Sequence, residues 1–155
     1  TGVERVLFSD PTRYSVTGTT TETTVWSRTV PGGSLGVNGY LECGLVCLAS
    51  PGGVNLNQYA RIYYGGTLIK YASIGAGGGT GTTFVNQIMY NNGSTTAQKF
   101  PDFDLITFTV STNSTVPGTG TVNTAVDQIL SITLQPSFST GTAFLDLTKV
   151  IVGNP

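Results

Sequence analysis

Carboxylates are the residues of this chain with the strongest claim to catalysis. The 155 residues include no His, which excludes the Ser-His-Asp and Cys-His arrangements of nucleophilic catalysis. Asp102 and Asp104 remain, because residues two apart on a strand share a face, with Cα atoms about 6.6 Å apart. Glycosidases use carboxyl groups about 5–9.5 Å apart, but on different elements around a cleft. Nothing else converges on this pair, so we expect no catalytic residue, and a small glycosidase is the third-ranked hypothesis.

Metal binding would depend on the same acidic residues. Asp102, Asp104 and Asp127 could join backbone carbonyls around calcium, which takes six to eight oxygen ligands. The chain has no calcium-loop motif. With no His and only two Cys, it also lacks the ligands of a zinc site. We therefore interpret these aspartates as solvated loop and turn residues, and we expect no metal and no other cofactor.

The two cysteines, Cys43 and Cys47, are four positions apart. On a straight strand this spacing separates their Cα atoms by about 13 Å, whereas a disulfide needs roughly 7 Å or less. We predict two buried, reduced thiols on one strand face. A disulfide across a sharp local turn is the alternative. Free thiols favour synthesis in a reducing cytosol.

Tyrosine is concentrated in the middle of the chain, at Tyr59, Tyr63, Tyr64, Tyr71 and Tyr90. Surface tyrosines stack on sugar rings and anchor protein contacts at low entropic cost, although tyrosines also fill the faces of sheets. We take Tyr59, Tyr63 and Tyr90 as the candidate binding or interface surface.

A hairpin positions most of these tyrosines. Residues 59–64 and 67–74 are strand-like and are joined by Gly65-Gly66, which predicts a two-residue turn of type I′ or II′. The predicted cross-strand pairs are Ile62–Ile69 and Arg61–Lys70. Tyr64 and Tyr71 then share the face of the isoleucines, and Tyr63 takes the other face. The like-charge pair is unfavourable, so a register slipped by one residue is the alternative.

The strongest strand pattern covers residues 40–48. Leu41, Cys43, Leu45 and Cys47 alternate there with Tyr40, Glu42, Gly44 and Val46. A period of two predicts a strand with one buried face. Trp26, in a predicted strand at 23–30, is expected to pack in or beside the core rather than to mark a site.

The remaining predicted elements are also strands. They cover residues 3–8, 13–16, 84–90, 105–112, 128–135 and 143–152. Residues 97–103 are predicted to be an edge strand or a loop, and residues 121–135 to form either one strand or two. The Gly-rich segment 75–83 lacks the Gly-Lys-Ser/Thr end of a phosphate loop and is predicted to be a loop. Turn signals every 8–12 residues, without a convincing helix, predict one all-β domain over residues 1–155. We expect an antiparallel β-sandwich of about nine or ten short strands.

Composition limits the partners. Charged residues make up 10% of the chain and the net charge is −1, so no basic patch favours nucleic acid. The sequence has no run of 18 apolar residues, so we expect no transmembrane helix and no membrane partner. The first residues do not follow the pattern of a secretory signal.

The turn between the strands at 23–30 and 40–48 resembles surface proteins of tailed bacteriophages. The matching residues are Val30, Pro31, Gly32, Leu35, Gly36, Asn38 and Gly39. Looser likenesses follow in the same order: a Gly-Gly-Thr hairpin at Gly65–Leu68, a turn before Ala97-Gln98, and Asp146 in the last strand. Cys43 and Cys47 depart from the pattern, as does Tyr40-Leu-Glu where a basic residue is frequent.

The resemblance implies a jelly-roll domain that assembles as a homotrimer. Such proteins are head fibres, capsid decoration proteins or tail-fibre parts, with a phage capsid or tail protein as partner. We therefore expect a non-enzymatic virion surface protein, made in the host bacterial cytoplasm. The alternative is a carbohydrate-binding, lectin-like domain of a tail fibre that recognises a host surface glycan.

Overall fold

A computed structural model describes residues 3–50, 56–76, 81–101 and 118–154. The regular elements in these ranges are β1 (Val3–Asp10), β2 (Tyr14–Thr17), β3 (Thr23–Val30), β4 (Tyr40–Ser50), β5 (Leu56–Tyr64), β6 (Thr67–Ala76), β7 (Gly81–Asn91), β8 (Gln98–Lys99), β9 (Thr119–Gly120), β10 (Gln128–Pro136) and β11 (Thr142–Asn154). The described residues therefore form eleven strands rather than nine or ten. Most of them are longer than predicted, and the longest have 11 residues in β4, 11 in β7 and 13 in β11.

The strands form two sheets. A seven-stranded sheet has the order β1-β11-β4-β7-β8-β9, with β2 also pairing β11, and a four-stranded sheet has the order β3-β10-β5-β6. Every pairing within them is antiparallel. The protein is an all-β antiparallel sandwich of jelly-roll-like form, as the sequence predicts.

Strand β4 lies at the centre of the larger sheet, between β11 and β7. Its burial alternates at every residue from Tyr40 to Ser50. Leu41, Cys43 and Cys47 are completely buried and Leu45 nearly so. The period-two pattern therefore predicted both the strand and its inner face correctly.

Both cysteines are free and buried, so the prediction of reduced thiols is confirmed. Burial raises the pKa of the Cys47 thiol to about 12, with the nearby Asp146 charge adding to the effect. Burial raises the pKa of Cys43 further, with Cys47 and Glu42 contributing. Thiols in this state are poor nucleophiles, because the reactive form is the thiolate.

The predicted hairpin is present, but its register changes partway along. Tyr64 pairs Thr67 across the two-residue turn. Gly65 and Gly66 have φ angles of 54° and 78°, and positive φ at both central residues defines the type I′ turn that suits a hairpin. This part of the hairpin follows the prediction.

A bulge then shifts the pairing between Ile62 and Tyr63, so that Ile62 pairs Lys70 and Arg61 pairs Tyr71. The predicted pairs Ile62–Ile69 and Arg61–Lys70 are wrong, and the alternative of a one-residue slip is correct for this part of the hairpin. The extra residue separates two like charges. It also moves Tyr71 from the predicted inner face to the outer face, beside Arg61.

Two predicted connections differ from the structure. Residues 121–126 form no strand; Thr124 instead bonds the backbone of Thr95 and of Gly33. Residues at both ends of the loop predicted at 75–83 are strand, because β6 continues to Ala76 and β7 begins at Gly81; residues 77–80 lie outside the described residues. The strand predicted at 105–112 lies outside the described residues.

A buried amide ties these connections together. Asn91 Nδ2 donates to the Gly36 carbonyl and to Thr124 Oγ1, both at 2.8 Å, and Asn91 Oδ1 accepts from Gln98 Nε2 at 3.0 Å. The Asn91 backbone N–H donates to the Gly39 carbonyl. One side chain thus fixes the turn after β3, the end of β7, β8 and the loop before β10.

Candidate functional site

The candidate tyrosines do not form one surface. Tyr59 and Tyr63 lie on the outer face of the four-stranded sheet, on β5. Tyr90 lies on β7 in the other sheet, where it pairs Tyr40 and Lys99. Tyr64 belongs to the core, with 1% of its surface exposed. The structure therefore separates Tyr90 from the other two candidates.

Tyr71 lies beside Tyr59 on the outer face, although the sequence predicted it on the inner face. The rings of Tyr59 and Tyr71 stack with centroids 5.4 Å apart and planes 19° apart. The Arg61 guanidinium carbon lies 4.8 Å from the Tyr71 ring centroid and 5.9 Å from that of Tyr59, within cation–π range. The bulge at Ile62 creates this cluster, and only the like-charge clash in the unbulged register signalled it.

Glu22 extends the cluster toward β10. Its carboxylate accepts hydrogen bonds from the Tyr63 hydroxyl at 2.8 Å and from Thr133 Oγ1 at 2.7 Å, and it lies 3.3 Å from Arg61 Nη1. Burial alone would raise the pKa of Glu22, but the bonds from Thr133 and Tyr63 and the Arg61 charge lower it. The result is an aromatic and polar surface in which the charged groups already pair with each other.

A cleft of about 500 Å³ opens where β1 and β2 meet β3. It is lined by Leu7, Phe8, Ser9, Asp10, Thr12, Tyr14, Trp26 and Arg28. Asp10 accepts from the Thr12 backbone N–H at 3.0 Å, the Tyr14 hydroxyl at 3.0 Å and Trp26 Nε1 at 3.1 Å. Its bonds with Thr12, then those from Tyr14 and Trp26, outweigh burial and lower its pKa to about 2.

The side chains of this cleft hold β1, β2 and β3 together, and the cleft is not an open ligand site. Trp26 is only 2% exposed, so its indole cannot stack on a ligand. Its ring is contacted by Phe8, at a centroid distance of 5.7 Å, and by the Arg28 guanidinium at 5.3 Å. The prediction that Trp26 packs with the core is confirmed.

The outer face of the larger sheet carries a regular set of nine positions on β11, β4 and β7, which we call the central grid. Its three rows, in that strand order, are Ile151–Glu42–Ile88, Lys149–Gly44–Asn86 and Leu147–Val46–Phe84. All four corners of the grid are apolar. Phe84 is 64% exposed, and a hollow of about 270 Å³ lies beside it over Gly44.

The polar members of the grid surround Gly44. Glu42 Oε1 accepts a hydrogen bond from Asn86 Nδ2 at 2.7 Å. Asn86 Oδ1 is buried and finds no hydrogen-bond partner in the ranges that the structure describes. Lys149 is exposed and makes no hydrogen bond or ion pair within the described part of the chain. The sequence pattern placed Glu42 and Gly44 on the outer face, but it did not bring Phe84 or Lys149 beside them.

The acidic residues considered for chemistry do not assemble in the ranges that the structure describes. Asp127 accepts a hydrogen bond from the Gly32 backbone N–H at 2.8 Å, which ties two turns together. Asp102 and Asp104 lie outside the described residues. Within those residues no group of three or more Cys, Asp or Glu is placed to hold a metal ion. The same ranges contain no helix with the length and apolarity needed to cross a membrane.

Comparison with known proteins gives distant structural likenesses. No protein-family model and no curated protein sequence matches the chain. Dimeric latent PorU from Porphyromonas gingivalis is similar at 15% identity over 83% of this chain and 10% of that one, with a TM-score of 0.45. Infectious bursal disease virus, Gt strain, is similar at 14% identity over 97% of this chain and 33% of that one, with a TM-score of 0.44.

A third similar structure is the CBM2 module of the evolved Dit of Lactobacillus casei BL23 phage J-1. It shares 9% identity over 81% of this chain and 67% of that one, with a TM-score of 0.37. The chain spans only a tenth of the PorU chain and about a third of the viral chain. Likenesses this distant carry no argument about function, and the fold class rests on the two sheets themselves.

Proposed function

We propose that this chain is a non-enzymatic structural protein of a phage virion surface, of the capsid-decoration or head-fibre type, and that it assembles as a homotrimer. The supporting observation is the apolar outer face of the larger sheet. The resemblance of the turn at 30–39 to tailed-phage surface proteins supports the location, the trimer and a capsid or tail protein as the partner. The buried free thiols of Cys43 and Cys47 suit synthesis in a reducing bacterial cytoplasm.

The two outer faces of the sandwich differ in chemistry. An antiparallel sheet commonly buries one face and leaves the other polar. The outer face of the four-stranded sheet is mostly polar, with Arg61, Thr133 and Gln135, although Ile129 at its end is 49% exposed.

The larger sheet instead exposes Phe84 at 64% and Val6 at 54%. Leu147 and Val46 lie beside Phe84 in one row across the sheet. Contiguous apolar surface of this kind marks sites of protein interaction, which favours assembly over catalysis as the task of this chain.

The mass of the protein in solution tests this proposal. Light scattering at two concentrations is expected to give at least three times 16.2 kDa at both. Phe84→Ser is expected to weaken the assembly, whereas Phe138→Ser, at a residue 51% exposed outside the larger sheet, serves as the matched control. A strict monomer that also fails to bind purified phage capsids would overturn the proposal.

A second candidate function is recognition of a host surface glycan by the outer face of the four-stranded sheet. The observation that favours it is the cluster of Tyr59, Tyr71 and Arg61, since tyrosine rings stack on sugars. Tyr63→Ala is expected to abolish binding to an array of host polysaccharides while the protein stays folded. Tyr90→Ala, on the other sheet, is the control and should leave glycan binding intact. Binding that neither Tyr63→Ala nor Tyr59→Ala weakens would exclude this surface.

A further inference from the structure

We propose that the central grid is a two-fold interface between two copies of this chain, in which Glu42 of each copy faces Lys149 of the other. The inference rests on the proposed function, because it takes the apolar outer face as an assembly face and names its occupant. A two-fold contact pairs copies and cannot close a trimer, so the trimer of the proposed function is built on another surface and this contact joins two trimers. Its partner is a second copy because the grid is complementary to itself.

The self-complementarity follows from the positions of the charges. Let a two-fold axis lie in the interface along the grid diagonal from Ile151 to Phe84. The axis exchanges rows with columns, so Glu42, in the middle of the first row, faces Lys149, in the middle of the first column. Each ion pair then occurs twice, as an isologous contact requires. Because the grid is about 10 Å across the strands and 13 Å along them, its diagonal lies about 38° from the strands, and the strands of the two copies cross at about 75°. This is close to the orthogonal packing of sheets.

The apolar corners are matched by the same operation. Ile88 of one copy faces Leu147 of the other, while Ile151 and Phe84, which lie on the axis, each face their own equivalents. An alternative axis parallel to β4 would place Lys149 against Asn86 and leave Glu42 without a cation. The diagonal axis is therefore the arrangement that satisfies both the charges and the apolar corners.

Gly44, at the centre of the grid, is explained by this interface and not by the subunit alone. Its φ is not positive. A Cβ atom at Gly44 would lie 3.9 Å from the Lys149 carbonyl and 4.0 Å from Asn86 Oδ1, which are ordinary contacts. Glycine inside a strand often marks the close approach of another backbone. Two Gly44 residues opposite each other on the axis let the two sheets approach closely.

The polar groups around Gly44 are ready for a cation from outside the subunit. Lys149 is exposed, and no residue in the described ranges pairs with it. Asn86 Nδ2 is bonded to Glu42 and holds its carboxylate in place. Among the described residues no cation forms an ion pair with Glu42, so an ammonium group from the second copy finds an unneutralised carboxylate. Glu42 and Lys149 cancel in charge, so the two identical faces do not repel.

The grid alone offers a small contact area. The grid spans two strand spacings by four residues, about 10 Å by 13 Å, which is less than the roughly 800 Å² per partner of a standard interface. Val6, Leu48 and Phe144 lie on the same outer face and enlarge the contact. We therefore expect an association that depends on protein concentration rather than a permanent one.

Complementary charge variants test the pairing directly. Glu42→Lys places lysine against lysine twice across the axis, and Lys149→Glu places glutamate against glutamate. The dissociation constant of each variant alone is expected to be at least about ten times that of the wild type. An equimolar mixture of the two variants is expected to associate as well as the wild type, because both contacts are then of opposite charge. Lys99→Glu, at an exposed residue of β8 outside the grid, is the control and should behave as wild type.

The readout is the mass by light scattering, together with energy transfer between differently labelled variants in the mixture. Association restored only in the mixture supports the interface. A wild-type trimer of three times 16.2 kDa that neither charge variant disturbs would overturn the interface and leave the proposed function standing. A wild type that is monomeric throughout, with no capsid binding, would overturn both.

Discussion

Asp10 joins three strands through one carboxylate. It ends β1, accepts from Tyr14 on β2, and accepts from Trp26 on β3. Arg28, also on β3, lies 3.3 Å from the same oxygen. Because β1 and β3 belong to different sheets, this one side chain closes an edge of the sandwich that apolar packing alone would leave open.

Stability should therefore depend on the charge of Asp10. Its pKa is lowered from 3.8 to about 2, so its contribution is complete above the unfolded-state pKa and is lost as the pH falls from about 4 toward 2. Asp10→Asn is expected to unfold at a lower urea concentration than the wild type at pH 7, with a difference that shrinks across this interval. A difference in urea midpoint that stays constant down to pH 2 would show that the charge of Asp10 contributes nothing.

In the β5–β6 hairpin, one turn and one bulge determine the strand pairing and the side chains that reach the outer face. The Gly65-Gly66 turn fixes the pairing of the first residues, and the bulge at Ile62 then determines which side chains reach the outer face. The cluster of Tyr59, Tyr71 and Arg61 exists only because of that bulge. The turn is the part of this element that can be tested by single substitutions.

The two turn glycines should differ in their response to alanine. Gly66→Ala meets no atom within 4 Å, so it carries only the strain of its positive φ, about 1 kcal/mol. At Gly65 a Cβ would lie 2.5 Å from Val122 Cγ1 and 2.7 Å from Gln128 Oε1 as well. Urea unfolding is expected to show a clearly larger loss for Gly65→Ala than for Gly66→Ala. Equal losses would mean that these contacts relax at no cost.

The sequence predicts elements of this fold better than it predicts contacts between them. The alternation of Leu41, Cys43 and Leu45 is a local pattern, so it identified β4 and its buried face. The bulge beside Ile62 depends on which cross-strand pairs are avoided, and the prediction could only offer it as an alternative. Residues 121–126 were mistaken for a strand because their Thr and Val content suits one, whereas Asn91 and Gly33 bind this segment as a loop.

For the candidate site too, the sequence predicts positions within a strand but not contacts between strands. Tyr59 and Tyr63 are close in sequence and lie on one face, as their spacing in β5 requires. Tyr90 is also close in sequence, but β7 belongs to the other sheet, and composition gives no sign of a change of sheet. The grid around Gly44 takes its residues from β4, β7 and β11, so only the antiparallel register brings Phe84 and Lys149 together.

At the scale of the whole molecule, the turns after β3 and β7 are joined through Asn91. Asn91→Ala would remove three buried hydrogen bonds, with the Gly36 carbonyl, Thr124 Oγ1 and Gln98 Nε2. The Gly36 carbonyl keeps its bond from Gly39 and Gln98 keeps its bond to Thr95, so the cost is that of the lost bonds, about 0.5–1.5 kcal/mol each. We expect a loss of roughly 3 kcal/mol in the free energy of unfolding, measured by urea denaturation. Asn92→Ala, at an exposed neighbouring turn residue, is the control and should change stability little.

The labelling rates of the two thiols test whether the sandwich unfolds in one cooperative step. Cys43 pairs Val150 and Gln87, and Cys47 pairs Leu145 and Thr83, so each is enclosed between β11 and β7 on the inner face of β4. Local fraying at the ends of β4 exposes neither thiol, and burial raises both pKa values. A thiol reagent should therefore label both only through global unfolding.

Cys43→Ala and Cys47→Ala each leave one thiol, which allows the two labelling rates to be compared. When closing is faster than labelling, each rate divided by the labelling rate of the unfolded chain gives the equilibrium constant of the opening that exposes that thiol, and its logarithm gives the free energy of opening. We expect both free energies to equal that of global unfolding for the same variant, and to fall with urea at the same slope, since that slope follows the surface exposed. Much faster labelling of Cys47 alone would mean that β11 separates from β4 near the bulge at Asp146 before the rest of the sandwich unfolds.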